Sequence, residues 1–373
     1  MDEGTKSEVD LDGSNVTVQR VKGNGGDPVI PKPEVTNLTK MKVMGFLLIL
    51  LGAVLAFGFL YESDEEDVAN QTSTEQQTSD DRRPVNTLTL DTLEASVKQN
   101  QVIWKDSLQA TLEAYDQSND NVSYSFADSE FTVTGNGLPT HSTGDFPNPN
   151  NPNSISEQNV TFTIPRAPVF SGSATPVRIF GYSLGGVKME PGTAETDPVT
   201  GWSIEAFNSS NLFNPGIDEH QAHVQPNGTY HYHGLPSVLN TTGEEHSNLI
   251  GFAADGFPIY GNHGYRDPLN ADGPTDHMTS SWRLKTGTRG AGEPEGTYNG
   301  DYTNDYQYVE GAGDLDECNG RFTVTPDFPD GVYAYFITEQ FPFVGRCVMG
   351  EVIAGFDSVP SGQPQPAPQR TNR

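Results

Sequence analysis

Eight histidines, all lying between His141 and His277, are the side chains of this chain best suited to chemistry. Four of them fall within fourteen residues, in the run DEHQAHVQPNGTYHYHG (Asp218–Gly234). Thr229–His233 has the aromatic and β-branched texture of a strand. Alternation along a strand then places His231 and His233 on one face and Tyr230 and Tyr232 on the other. A reversal at Pro226-Asn227-Gly228 would fold His223 back against the pair. Three convergent imidazoles with an open position are the donor set of a catalytic zinc or copper site. Sharing one ion through bonds of about 2.0–2.1 Å requires them to approach within about 3–4 Å of one another. Two other readings of the same residues stand beside this one. The histidines can form a buried hydrogen-bond network with Asp218, Gln225 and backbone carbonyls, or one of them can serve as a metal-free catalytic base. His220 is a further member only through its HxxH spacing with His223.

Two other patterns invite chemistry. Gly181-Tyr-Ser183-Leu-Gly185 matches the nucleophile-elbow signature, but a helix must follow it, and Gly185-Gly186 and Pro191-Gly192 oppose one. Gly313-Asp314-Leu315-Asp316-Glu317-Cys318 clusters three carboxylates, either as a cation site or as a solvated turn.

The elements that must position these residues are mostly strands. From about Val122 the chain runs in short β-branched and aromatic segments, among them SEFTVTG, NVTFTIP, TPVRIFGY, GTYHYHG, GRFTVTP and GVYAYFIT. With 39 glycines and 27 prolines, turns must be frequent. The expectation is a mostly-β domain over 122–357, a sandwich or barrel with long loops. Before it, Leu88, Leu93, Val97, Ile103, Trp104, Leu108 and Leu112 recur at helical spacing, which predicts a short helical segment over 88–121. Cys318 and Cys347 are the only cysteines, an even pair expected to form one disulfide outside the cytosol.

Val43–Leu60 (VMGFLLILLGAVLAFGFL) holds twelve Leu, Ile, Phe or Val residues in eighteen, without a charge, and a span of about 20 residues crosses a bilayer. Lys40 and Lys42 precede it, and Glu62, Asp64, Glu65, Glu66 and Asp67 follow, so the positive-inside rule sets the N-terminus in the cytosol. The run is too long, and too far from the start, for a cleaved signal peptide. The expected organisation is a disordered tail (1–42), a transmembrane signal-anchor (43–61), an acidic stalk (62–87), the helical segment and β domain, and a Pro/Gln-rich tail (358–373). The sequence thus predicts a single-pass type II membrane protein with an extracellular or lumenal ectodomain. Its net charge of −29 repels phosphate backbones, which excludes nucleic acid as a partner. Asn70, Asn121, Asn159, Asn208, Asn227 and Asn240 carry the Asn-x-Ser/Thr glycosylation signature.

Several blocks share more than composition with a known family. They are GNGLPTHSTGDFPNPNNPN (Gly135–Asn153), EPGTAE (Glu190–Glu195), GWSIEA (Gly201–Ala206), AHVQPNGTYHYHGLP (Ala222–Pro236) and IGFAADGFPIYG (Ile250–Gly261). SSWRLKTGTR (Ser280–Arg289), GDLDECNGRFTVTP (Gly313–Pro326) and GVYAYFIT (Gly331–Thr338) complete the set. In these residues, and in the tetrapeptide Tyr230–His233, the chain resembles the YHYH domain family over about Val122–Asp357. The resemblance implies His141, in its Pro-Thr-His block, as a fourth member of the histidine site. It brings no reaction or ligand with it. Where similar proteins tend to carry Asn-Asn before the Ala-His-Val block, this chain has His220-Gln221, a departure that leaves His220 outside the family pattern. The sequence therefore predicts a membrane-anchored YHYH domain binding a transition metal, zinc or copper, through His223, His231, His233 and His141. The rival reading is an adhesion module whose exposed Tyr, Trp and Phe engage a glycan or protein, with structural histidines.

Overall fold

A computed structural model describes residues 88–99, 104, 106–239 and 244–356. The expected cytosolic tail, membrane segment, stalk and C-terminal tail lie outside them. Among the described residues, no helix is long and apolar enough to cross a membrane.

Helix α1 (Leu90–Lys98) and helix α2 (Asp106–Ser118) come first. Thr89 caps α1, exchanging hydrogen bonds of 2.8 and 3.2 Å with Thr92 through their backbone N–H groups and hydroxyls. Leu93 and Val97 on α1, and Leu108 and Leu112 on α2, sit four residues apart and are buried as single stripes.

The rest is mostly β. Strands β1 (Val122–Phe126), β2 (Glu130–Gly135) and β3 (Val160–Pro165) form an antiparallel meander, followed by β4 (Phe170–Pro176). Next come β5 (Gly181–Ser183), β6 (Lys188–Met189), β7 (Ala222–Val224), β8 (Tyr230–Tyr232), β9 (Leu249–Ala253) and β10 (Pro258–Tyr260). Two hairpin pairs come after these, β11 (His263–Tyr265) with β12 (Thr275–His277), and β13 (Trp282–Leu284) with β14 (Tyr306–Tyr308). Last are β15 (Gly320–Thr323), β16 (Val332–Phe336) and β17 (Cys347–Gly350), the last paired antiparallel with β4.

The main sheet has eight strands in the order β15-β16-β10-β9-β5-β6-β8-β7 and curls into an open half-barrel. The mostly-β expectation holds, while the sandwich or barrel takes this open form, with edges at β15 and β7. The sheet is mixed: β16 runs parallel to β10, and β6 parallel to β8. Its central strands are buried on both faces, which explains why β9, β10 and β16 read as unbroken apolar runs. Helix α1 packs against β4, β15 and β16, and α2 against β1.

Two inward-turned carboxylates fasten loops to β16. Tyr335 donates to Asp255 at 2.6 Å, and Asp255 also accepts from the Gly350 backbone at 2.8 Å. Tyr333 donates to Asp316 at 2.5 Å. Burial pushes both carboxyls up to about 6. The three-carboxylate loop therefore does not converge on a cation: Asp316 turns inward to Tyr333, and Asp314 accepts from Thr279.

The expected disulfide joins Cys318 to Cys347 across 29 residues, tying the loop before β15 to the first residue of β17. A closed loop of that size is worth about 3–4 kcal/mol on the chain-entropy model. Replacing both cysteines by alanine is expected to lower unfolding free energy by about that amount in denaturant titration. Stability equal to that of the parent would show that the bridge contributes nothing.

Candidate metal centre

The site is built on the β7–β8 hairpin at the edge of the main sheet. The turn closes through Gly228 N–H donating to the Gln225 carbonyl at 2.8 Å and Gln225 N–H to Thr229 at 2.9 Å. Gly228 sits at φ 85°, and a Cβ there would come within 2.0 Å of the Ser156 hydroxyl, so only glycine fits. The register pairs Ala222 with Tyr232, His223 with His231 and Val224 with Tyr230.

His223 therefore faces His231 directly across the hairpin, with ring centres 4.6 Å apart. His233, two residues on from His231, joins the same face at 4.7 Å from His231 and 4.8 Å from His223. One nitrogen from each ring can be chosen so that all three lie within 4.8 Å of one another. That is somewhat looser than the 3–4 Å a shared ion needs, so binding would draw the rings inward. Among the described residues this is the only group of three or more His, Cys, Asp or Glu placed to hold a metal.

The surroundings orient the rings unequally. His223 Nδ1 lies 3.0 Å from the Pro215 carbonyl, which fixes the proton on Nδ1 and leaves Nε2 as the lone-pair nitrogen. His231 Nδ1 has the Thr229 carbonyl at 3.4 Å. Neither nitrogen of His233 makes a hydrogen bond, although the ring is buried; the Pro191 carbonyl is close enough to act on its charge but not in bonding geometry. Burial pushes all three imidazoles below their ordinary value, His231 and His233 far below it; neighbouring rings and, for His233, Arg346 add to the effect. All three are therefore neutral at physiological pH, the form that binds a metal.

The trio lines a cavity of about 510 Å³, together with Asn151, Arg178, Glu190, Glu195 and Gln225. Glu190 accepts from Lys188 at 2.6 Å and from Gln225 at 2.8 Å, and Lys188 also donates to Gln225 at 2.9 Å. This polar triangle escaped the sequence reading. The EPGTAE block that Glu190 opens is visible in the sequence, but what brings it here is the pairing of Lys188 with His231 in the sheet.

His141 is not part of the cluster. Its Nε2 is 2.7 Å from the Tyr232 hydroxyl, and its ring packs at 6.0 Å from Tyr232 and 4.3 Å from His220. Tyr232 points away from His231 and His233, so His141 lies on the far side of the sheet. The resemblance supplied a neighbouring block but not the face on which it lands. His220 shares that far side, and Gln221 after it holds φ 59°, a left-handed conformation that Asn enters more readily than Gln. Ser183 is no elbow: it is buried and its hydroxyl accepts from Val187 N–H at 3.1 Å in the turn to β6.

The sequence model of one family, described as YHYH protein, matches residues 161–350. The chain belongs to the YHYH family. The match begins within β3 and ends at β17, so it spans the main sheet and the histidine hairpin, while the helices and the meander's first two strands precede it. No curated protein and no solved structure matches.

Because both His233 nitrogens are buried without a partner, the ring costs stability when no ion is bound. Metal-free protein carrying His233→Leu is expected to be as stable as the parent or up to about 1–3 kcal/mol more stable. A loss of that size, measured in chelator by denaturant unfolding, would restore the hydrogen-bond-network reading.

Proposed function

We propose that this YHYH chain binds one transition-metal ion, zinc or copper, through His223, His231 and His233, and presents it on the outer side of a membrane. The observation that carries the reading is the convergence of three neutral imidazoles on one sheet face beside a cavity, two of them buried and one of these without any hydrogen-bond partner. Imidazole suits zinc, copper, nickel and iron, whereas calcium and magnesium prefer oxygen donors. Three ligands with an open side are the arrangement of a catalytic centre, since closed structural zinc sites use four. The adhesion reading has less behind it. Among the described residues no Phe, Tyr or Trp is exposed, and the exposed large apolar side chains are aliphatic and scattered: Leu90, Val199, Leu212, Val238 and Leu284.

Protein purified without chelator or metal-affinity resin is expected to carry close to one zinc or copper ion per chain by mass spectrometry. His231→Ala with His233→Ala should remove it, and His246→Ala, outside the cluster, should leave it. Folded metal-free protein that takes up neither ion would end the proposal.

Membrane anchoring rests on Val43–Leu60 and the charges that flank it. Protease added to intact cells is expected to remove a C-terminal tag and spare an N-terminal one. The reverse pattern, or a mature N-terminus beyond residue 60, would replace this topology.

A further inference from the structure

On the face of β8 opposite the three clustered histidines lies a second group of reactive side chains. Ser237 Oγ is 2.9 Å from His220 Nδ1. His220 is only 4 % exposed, and its other nitrogen, Nε2, is buried without a hydrogen-bond partner. The Glu219 carboxylate stands 3.8 Å from that Nε2 on a side chain that is 62 % exposed and free to swing closer. Ser237 itself is exposed. Its backbone N–H and that of Val238 donate to nothing among the described residues, although Leu239 N–H beside them closes a turn onto Pro236.

We infer that Ser237 and His220 form a nucleophile–base pair that cleaves carboxylic esters, with Glu219 as the acid that steadies the charged imidazole. A serine hydroxyl becomes nucleophilic when an adjacent imidazole takes its proton, and the imidazole works best when a carboxylate faces its other nitrogen. The same three roles are present here with the ring nitrogens exchanged. Nδ1 faces the serine, and Nε2, which then carries the hydrogen, faces Glu219. This accounts for a buried Nε2 that otherwise has no partner.

The chemistry balances without a co-reactant other than water. The Ser237 proton moves to His220 Nδ1 as Oγ bonds to the ester carbonyl carbon. The Ser237 and Val238 N–H groups, beside the nucleophile, would be the donors to the resulting oxyanion. When the carbon–oxygen bond to the alcohol breaks, His220 returns the proton to the departing alkoxide. Water then attacks the acyl-serine, giving its proton to His220, and His220 passes that proton to Ser237 Oγ as the acyl–oxygen bond breaks and the acid leaves. Val238 and Leu239 lead from Ser237 into a cavity of about 390 Å³ lined also by Thr140, Tyr232, Leu249 and Ile250. Leu184, Val187 and Ile250 add aliphatic surface to it beside polar Ser247, Asn248 and Asp327, which leaves room for a short acyl chain. Since His220 departs from the family pattern, the activity is assigned to this chain and not to the family.

The test uses the full-length chain and a fluorophosphonate, which phosphonylates activated serines with loss of fluoride. Intact-mass and peptide analysis are expected to find one adduct, on Ser237, and p-nitrophenyl butyrate hydrolysis that chelator does not reduce. Ser237→Ala should lose the adduct and about 100-fold or more of the hydrolysis. His220→Gln should keep the serine but lose its labelling. An unlabelled Ser237 in folded protein, labelling at the same rate in His220→Gln, or ester hydrolysis that survives Ser237→Ala would each overturn the inference. Because the readout persists in chelator, it stands or falls separately from the metal site.

Discussion

The two-residue alternation of β8, with both faces buried, is the constraint on which the rest depends. A strand interior to the fold cannot leave polar groups unmatched, so each face must solve its own problem. On one face the tyrosines are matched locally: Tyr230 donates to Asp218 at 2.7 Å, and the Tyr232 hydroxyl meets His141 at 2.7 Å. These bonds pin the strand's rotation about its own axis. With the tyrosines fixed, His231 and His233 can only point the other way. The antiparallel register then brings His223 opposite His231. Three imidazoles meet because two phenols are anchored.

The histidine face is satisfied less completely, and the imbalance is informative. Neutral imidazoles avoid the cost of burying charge, but a ring still offers one donor and one acceptor. Pro215 engages His223, and Thr229 lies at the limit of engaging His231. His233 has neither nitrogen bonded, next to the buried Arg346–Glu205 pair at 2.6 Å, whose guanidinium disfavours a second positive charge. The proposed ion relieves this by taking the lone pairs that the protein leaves open. Glu190 and Gln225 line the same cavity, and the Glu190 carboxylate there is already balanced by Lys188.

Much of this was legible from residue order. Period-two alternation fixed the faces of Tyr230–His233, the turn at Pro226–Gly228 returned His223, and the even cysteine count gave the bridge. The features that were not legible have a common cause. His141 and Glu190 belong to recognisable blocks far from the hairpin in sequence, and nothing local says to which side of β8 each returns. The sheet's open curl is set by strands of two to five residues and by mixed pairing, β6 with β8 and β10 with β16, which composition does not encode. Ser183, by contrast, was legible: Gly-x-Ser-x-Gly constrains a turn as readily as an elbow, and Gly185-Gly186 and Pro191-Gly192 beyond it decide for the turn.

The number of ligands bears on what the proposed ion would do. A fourth protein ligand would have to come from the cavity wall, and Glu190 is the nearest kind of donor in chemistry. Its carboxylate is held by Lys188 and Gln225, so recruiting it means breaking an ion pair whose side chains are about nine-tenths buried. Separating such a pair leaves an unpaired ammonium beside a dication, which is strongly unfavourable. Were an ion held by the three histidines, its fourth position would fall to water or to a molecule entering through the cavity. Arg178 and Glu195, both lining it, would meet that molecule before the histidines do. An ion so placed is more exposed to exchange than a four-ligand structural zinc, and its affinity must rest on how rigidly β7 and β8 hold three rings. That rigidity leads back to the tyrosines on the other face.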